Sequence, residues 1–312
     1  MMRIVCKTQM NQSVVELDEI KPGCWINLIQ PTKKEIKKII EKTGISKQHL
    51  LTALDEDERP HFDKELTDNL IVFKIPLKTE TQSKLKIKTI PIGIIITDNY
   101  FITIQLTSTE LFKDFYEGNI KEFYTTKRTR FLIQILSRTN FYFLKYLDKI
   151  ESEITKIESG LMRSLKNEEV IKLFELQKTL IYFHTAIMAN GNVLESILKG
   201  RVVRLYKEDE DILDDIIIEN KQSLEMTNTY NNILSNTLDA YASVISNNLN
   251  LVMKILTSLT IILSIPAIIS SFYGMNINLP FQNNQMAFFY TLLVSFCISG
   301  LIALVFLRKG WL

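Results

Sequence analysis

A chain of 312 residues has room for about two domains, and its charges nearly cancel: 37 Lys and Arg against 35 Asp and Glu, a net +2. That balance, with no dense run of Lys or Arg, excludes nucleic acid as a partner. The three cysteines, Cys6, Cys24 and Cys297, are too scattered for a disulfide framework or a zinc knuckle and read as buried small hydrophobes.

The chain opens Met1-Met2-Arg3-Ile4-Val5-Cys6-Lys7, without the apolar stretch of a secretory signal. Strand-like runs come next at 3–7, 25–29, 70–77, 85–97 and 100–106, the last two joined by an Asp98-Asn99 turn. Helical patterns intervene. Thr32 and Glu35 form a capping box, Ile36, Ile39 and Ile40 make an apolar stripe, and Gly44 ends it. Ser46 opens a second helix that stops before Arg59-Pro60. The alternation predicts an α/β domain over residues 1–120.

After Gly118 the punctuation disappears. No Gly or Pro falls between Gly118 and Gly160, between Gly160 and Gly191, or between Gly200 and Pro266, which predicts long helices. Residues 125–204 read as a helical hairpin with short turns. A single helix over 208–273, rising about 1.5 Å per residue, reaches on the order of 95 Å. Together these make a helical stalk over 121–250 that runs on into the C-terminal segment.

Two uncharged runs, 255–273 and 286–307, each supply about the 20 residues a helix needs to cross a bilayer. The link between them is short and also uncharged, so residues 251–312 form a transmembrane hairpin whose ends return to one side. Lys254 precedes the first span and Arg308-Lys309 come directly after the second. The positive-inside bias therefore places both termini in the cytoplasm of a multi-pass protein of the cell (inner) membrane, with the first span directing insertion.

The long helix carries two stripes. Tyr230, Leu234, Leu238, Tyr241, Ile245, Leu249 and Val252 recur at three and four and make a packing face. Asp239, Ser243, Ser246, Asn250, Met253, Thr257, Thr260 and Ser264 make the second, at a mean period near 3.5 that keeps it on one side of a supercoiled bundle. Hydroxyls in such a stripe can bond back to their own helix and line a helix–helix contact. A stripe that begins at a carboxylate and continues into the bilayer also suits a pore, which needs several copies of the chain to enclose it. Its oxygen-rich chemistry suits a hydrated hard dication such as Mg2+. His49, His61 and His184 lie elsewhere without paired spacing and read as surface or satisfied core histidines.

The segment Tyr273-Gly274-Met275-Asn276 at the outer end of the first span resembles the CorA-type magnesium transporter family. So do Leu238-Asp239-Ala240-Tyr241, Asn250-Leu251-Val252-Met253-Lys254-Ile255-Leu256-Thr257 and the terminal Arg308-Lys309-Gly310-Trp311-Leu312. The likeness extends more loosely over nearly the whole chain. It implies an α+β membrane protein: an N-terminal α/β cytoplasmic domain, a long helical stalk and a C-terminal hairpin, assembled as a homopentamer with the first span lining the pore. It implies Mg2+ uptake down the electrochemical gradient, gated by cytoplasmic Mg2+. Gly274, Met275 and Asn276 would form the selectivity site, and Met253 and Leu256 an apolar gate. Asn250 and Asp239 would form polar rings below the gate.

The family also holds regulatory metal at acidic subunit contacts. Asp215 falls on that position, within a cluster of Glu208, Asp209, Glu210, Asp211, Asp214 and Asp215 that as a bare charge run reads first as a solvated face and gains a sensing role from the resemblance. Asp55-Glu56-Asp57-Glu58 is a candidate partner cluster. One departure stands out: family members often carry acids in the outer loop, and residues 277–285 have none. Zinc, cobalt or nickel transport by the same architecture, or a non-conducting membrane-anchored metal sensor, are the alternatives. The absence of GxxxxGK[ST], GxGxxG after a strand, HExxH and GxSxG argues against an enzyme, and no organic cofactor is expected.

Overall fold

The computed structural model describes residues 1–8, 14–81, 84–161, 167–277, 279–280 and 284–312. Residues 162–166, within the expected helical hairpin, and positions 278 and 281–283 of the expected outer loop lie outside the described residues. The chain divides into two compact units, Met1–Asn236 and Thr237–Leu312.

The first unit is built on a seven-stranded sheet of β1 (Met2–Cys6), β2 (Val15–Glu16), β3 (Trp25–Ile29), β4 (His61–Lys64), β5 (Asp68–Thr81), β6 (Lys84–Thr97) and β7 (Phe101–Gln105). Their order is β2-β1-β3-β7-β6-β5-β4. The β3–β7 pair is parallel and the other pairs are antiparallel. Side chains alternate across the pleat, so the two faces carry different cores. Ile26, Leu28, Val72, Ile95, Ile102 and Ile104 pack with Ile39 of α1 (Lys33–Thr43) and Leu50 of α2 (Lys47–Thr52). On the opposite face, Trp25 of β3 meets Phe112 and Phe115 of α3 (Glu110–Tyr116), with ring centroids at 5.6 and 6.3 Å. It meets Phe131 of α4 (Arg128–Leu161) at 5.1 Å.

Local signals explain these elements. The Thr32 hydroxyl accepts from the Glu35 N–H at 3.3 Å, the Glu35 carboxylate accepts from the Thr32 N–H at 2.7 Å, and Gly44 closes α1 in the left-handed region at φ 70°. α2 ends at Thr52, well short of Arg59-Pro60, because the chain turns through Asp55, whose carboxylate caps the Asp57 N–H at 3.0 Å. A Cβ on Gly93 would sit 2.2 Å from the Ala53 Cβ, so glycine is what lets the end of α2 lie against β6. Three elements are unsignalled in the sequence: β2, β4 and α3 are short, and β4 is a half-exposed edge strand without an apolar alternation.

α4 and α5 (Asn167–Leu198) are the expected long helices. Asn190 of α5, fully buried, accepts from Lys74 N–H at 2.9 Å and donates to Lys74 C=O at 2.7 Å. It thereby continues the edge of β5 beyond the last β4 pair, His61 with Val72. α6 (Lys207–Tyr273) begins in this unit. There Asn140 of α4 donates to the Ile216 carbonyl at 2.7 Å, Arg130 pairs with the buried Asp209 at 2.8 Å, and Tyr230 donates to Glu151 at 2.8 Å. Burial, then the Glu151 carboxylate, push the Tyr230 hydroxyl up to about 12.

The second unit contains the remainder of α6 and α7 (Ala287–Arg308). Among its described residues Ser258 of α6 and Ser295 and Ser299 of α7 are the buried polar ones, and the Ser299 hydroxyl reaches the Ile262 carbonyl at 3.4 Å. Small side chains let two helices approach closely. Only 6% and 11% of the most apolar windows of α6 and α7 are buried, so both helices present to their surroundings the apolar surface that membrane spans present to lipid. Cys297, expected to be buried, is exposed on α7.

Candidate functional site

The polar stripe of α6 lies on a face that α7 does not use. Successive residues turn by about 100°, so Ile262 and Ile265 fall within about 40° of Ser258, on the α7 side. By the same geometry Met253, Thr257, Thr260 and Ser264 cluster about 130° away. Asp239, Ser243, Ser246, Asn250 and Thr257 are exposed, as are Met253 (52%) and Leu256 (56%), and Ser264 is half-buried. Thr260 donates to the Leu256 carbonyl at 2.8 Å and Ser264 to the Thr260 carbonyl at 2.7 Å. Back-bonding thus satisfies the hydroxyl protons and leaves oxygen lone pairs on the outward face.

The companion apolar stripe behaves differently along its length. Tyr230, Leu234 and Tyr241 are buried, whereas Ile245, Leu249 and Val252 are 44%, 62% and 59% exposed. From Ile245 to Val252 the apolar stripe is exposed, as are Ser246 and Asn250 of the polar stripe beside it.

α6 ends at the motif. The Gly274 N–H donates to the carbonyls of Ser270 and Ser271 at 3.0 and 3.2 Å, and the Met275 N–H to Phe272 at 3.2 Å. A Cβ at Gly274 would meet those two serine carbonyls at 3.4 and 3.5 Å, a tolerable contact. The space around the turn therefore does not by itself demand glycine. Tyr273 braces the turn by donating to the Pro280 carbonyl at 3.4 Å. Met275 and Asn276 are exposed. At the far side of the link, the Asn284 side chain accepts from the Met286 N–H at 3.0 Å and opens α7.

In the first unit, Asp211, Asp214 and Asp215 are exposed on α6, and Asp209 is instead neutralised by Arg130. Glu219 lies one turn beyond Asp215. Its carboxyl is pushed above the usual range, first by burial and then by the Asp215 charge. Of the candidate partner acids, Asp55, Glu56 and Asp57 are exposed, and Glu56 pairs with Lys88 at 3.1 Å. The Arg130–Asp209 pair was not legible in the sequence. The α6–α7 contact had a signal in the i, i+4 spacing of Thr291, Ser295 and Ser299.

The chain is similar at full length to known proteins. It is 30% identical over 316 residues to the cobalt/magnesium transport protein CorA of Methanocaldococcus jannaschii, covering 96% of each chain. It is 25% identical to the cobalt/magnesium transport protein CorA of Thermotoga maritima, covering 98% of this chain and 88% of that one. Its structure matches the complete structure of the CorA magnesium transporter from Methanocaldococcus jannaschii with a TM-score of 0.87 at 27% identity, over 100% of this chain and 98% of the other. The family model for CorA-like Mg2+ transporter protein matches residues 21–309, and the chain belongs to that family.

Proposed function

We propose that this chain is a subunit of a homopentameric divalent-cation channel that carries Mg2+ into the cell down its electrochemical gradient. The observation that carries the reading is the polar face of α6 turned away from α7 and left exposed within the chain. Copies of that face, brought round a common axis, enclose a path of hydroxyl and amide oxygens from Asp239 through Ser243, Ser246, Asn250, Thr257 and Thr260 to Ser264. Magnesium sheds its water reluctantly, and such a lining binds it through that water. Asn276, with Gly274 and Met275, receives the hydrated ion at the outer end. Met253 and Leu256 narrow the path with apolar side chains that stop conduction by dewetting.

The chain's arrangement in the cell (inner) membrane rests on Arg308 and Lys309, which hold both termini in the cytoplasm. A dication then gains about 4.6 kcal/mol per 100 mV of membrane potential, twice the single-charge value, and no coupled enzymatic step is needed. Internal Mg2+ at Asp211, Asp214 and Asp215 holds neighbouring subunits together and favours the closed state. The name of the 30% identical relative pairs cobalt with magnesium, which supports Co2+ as a second cargo.

The test is ion flux into proteoliposomes with Mg2+, Co2+, Ni2+ and Zn2+ compared. Wild type is expected to carry Mg2+, and Asn276→Ala to fall to the background of empty liposomes while keeping its oligomeric mass. Near-normal uptake by Asn276→Ala would remove the selectivity role. Absence of flux for every ion would favour the membrane-anchored sensor.

A further inference from the structure

His49 is far from the ion pathway in sequence, and its surroundings are unusual for a core histidine. It lies on α2, is 1% exposed, and has carboxylates on both ring nitrogens. Its Nδ1 faces Asp68 Oδ2 at 2.7 Å, and its Nε2 faces Asp63 Oδ2 at 3.3 Å and Glu65 Oε1 at 3.6 Å. The fold assembles this group from two directions. Gly93 lets α2 close onto the sheet. The β4–β5 hairpin turns through residues 65–68, with the Glu65 N–H donating to the Asp68 carbonyl at 3.0 Å. Asp63 and Glu65, two apart on a strand and its extension, project to the same side.

The Asp68 side chain is fully buried and doubly engaged, since Thr67 donates to its other oxygen at 2.8 Å. A carboxylate fixed there accepts a hydrogen bond from Nδ1–H and aims Nε2 at the other two acids. Nε2 and the two carboxylates then turn three electron-pair donors toward one point, and a metal cation is a group that such a set can hold. A histidine oriented by a buried carboxylate on its far nitrogen is the arrangement found behind metal-ligating imidazoles. The spacing also fits. Zinc bonds of about 2.0–2.2 Å in a tetrahedron set ligand atoms about 3.3–3.6 Å apart, and the three donor atoms here lie within 4.8 Å of one another. Asp63 and Glu65 are exposed and can adjust.

We infer that His49, Asp63 and Glu65 form a binding site for a transition-metal dication, zinc above all, oriented by Asp68. An imidazole and two carboxylates leave the fourth tetrahedral position to water. The imidazole selects against Mg2+, which prefers an all-oxygen, octahedral shell. The bound ion ties α2 to the edge strand β4, so the soluble unit reads transition metal separately from the dication that the exposed acids of α6 would hold.

The experiment uses the full chain in detergent, stripped with chelator and titrated with Zn2+ in excess Mg2+. Metal content is read by mass spectrometry and coordination by X-ray absorption. Wild type is expected to retain one Zn2+ per chain at this site, with imidazole scattering in its spectrum. Asp63→Asn combined with Glu65→Gln alters only exposed side chains and should lose that equivalent. His49→Gln should lose both the equivalent and the imidazole signal, and Asp68→Asn should weaken binding by about 10–100-fold. No zinc retained by wild type in excess Mg2+, or an undiminished equivalent in the double variant, would overturn the site. Neither result bears on transport, because none of these residues lies on α6.

Discussion

The two units use polar groups in opposite ways. In the first, buried amides reach across to other elements: Asn190 to both backbone groups of Lys74, Asn140 to Ile216, and Asn27 to Thr103 on the parallel strand beside it. Each such bond locks one packing arrangement and is costly to break, because its partner is left buried and unpaired. In the second, the hydroxyls of Thr260, Ser264, Thr291 and Ser295 bond to carbonyls of their own helices. A bond within one helix stabilises that helix without choosing a partner, so the outward face of α6 remains available. Polar chemistry thus joins elements throughout the first unit, whereas in the second, Ser299 with its bond to Ile262 apart, it stays within each helix.

The sharpest way to break that contrast is at Met253 and Leu256, which are 52% and 56% exposed within the chain and belong to no buried cluster of it. Met253→Ala and Leu256→Ala should leave thermal unfolding of the protein unchanged and raise the current that persists in high internal Mg2+. A closed-state current equal to wild type in both variants would place the constriction elsewhere. Asn190→Ala is the reciprocal case. It strands the Lys74 N–H and carbonyl and should cost about 1–3 kcal/mol of stability, seen as a lower denaturation midpoint, with ion selectivity unaltered. A midpoint within error of wild type would mean that water replaces the amide.

The sequence was most legible where one physical signal dominated. The capping box at Thr32 and Glu35, the uncharged runs of α6 and α7 and the long stretches without Gly or Pro each predict what the structure contains. The edge strand β4 escaped because a half-exposed edge has no alternation to read, and α3 because seven residues are too few for a helical period. The polar stripe was visible as a period, but only packing showed that Ser258, Ser295 and Ser299 occupy the hairpin contact and leave Thr257, Thr260 and Ser264 outside it. His49 is the core histidine that the sequence suggested, but its three acidic neighbours were not legible. They are brought to it by the packing of α2 against the turn of the β4–β5 hairpin, and no local spacing of 49, 63 and 65 announces that.

The smallest expected effect tests the α6 acids without touching the pore. Glu219 has its carboxyl raised by burial and by Asp215. The folded chain therefore holds that proton more tightly than the unfolded chain does. The stability this contributes is fully present below the ordinary carboxylate range and is lost as pH rises through the raised value, above which the ionised Glu219 is a liability. Glu219→Gln should melt slightly above wild type at pH above that value, and the gap should close on acidification. Magnesium held at Asp215 would cancel the same repulsion, so Mg2+ should raise the melting temperature of wild type more than that of Glu219→Gln. Asp215→Lys should reproduce the effect without metal and lower the internal Mg2+ needed for half-closure by about 5-fold or more, the lower end of ordinary allosteric couplings. A closing curve and a melting profile that ignore both substitutions would leave Asp211, Asp214 and Asp215 as a solvated face.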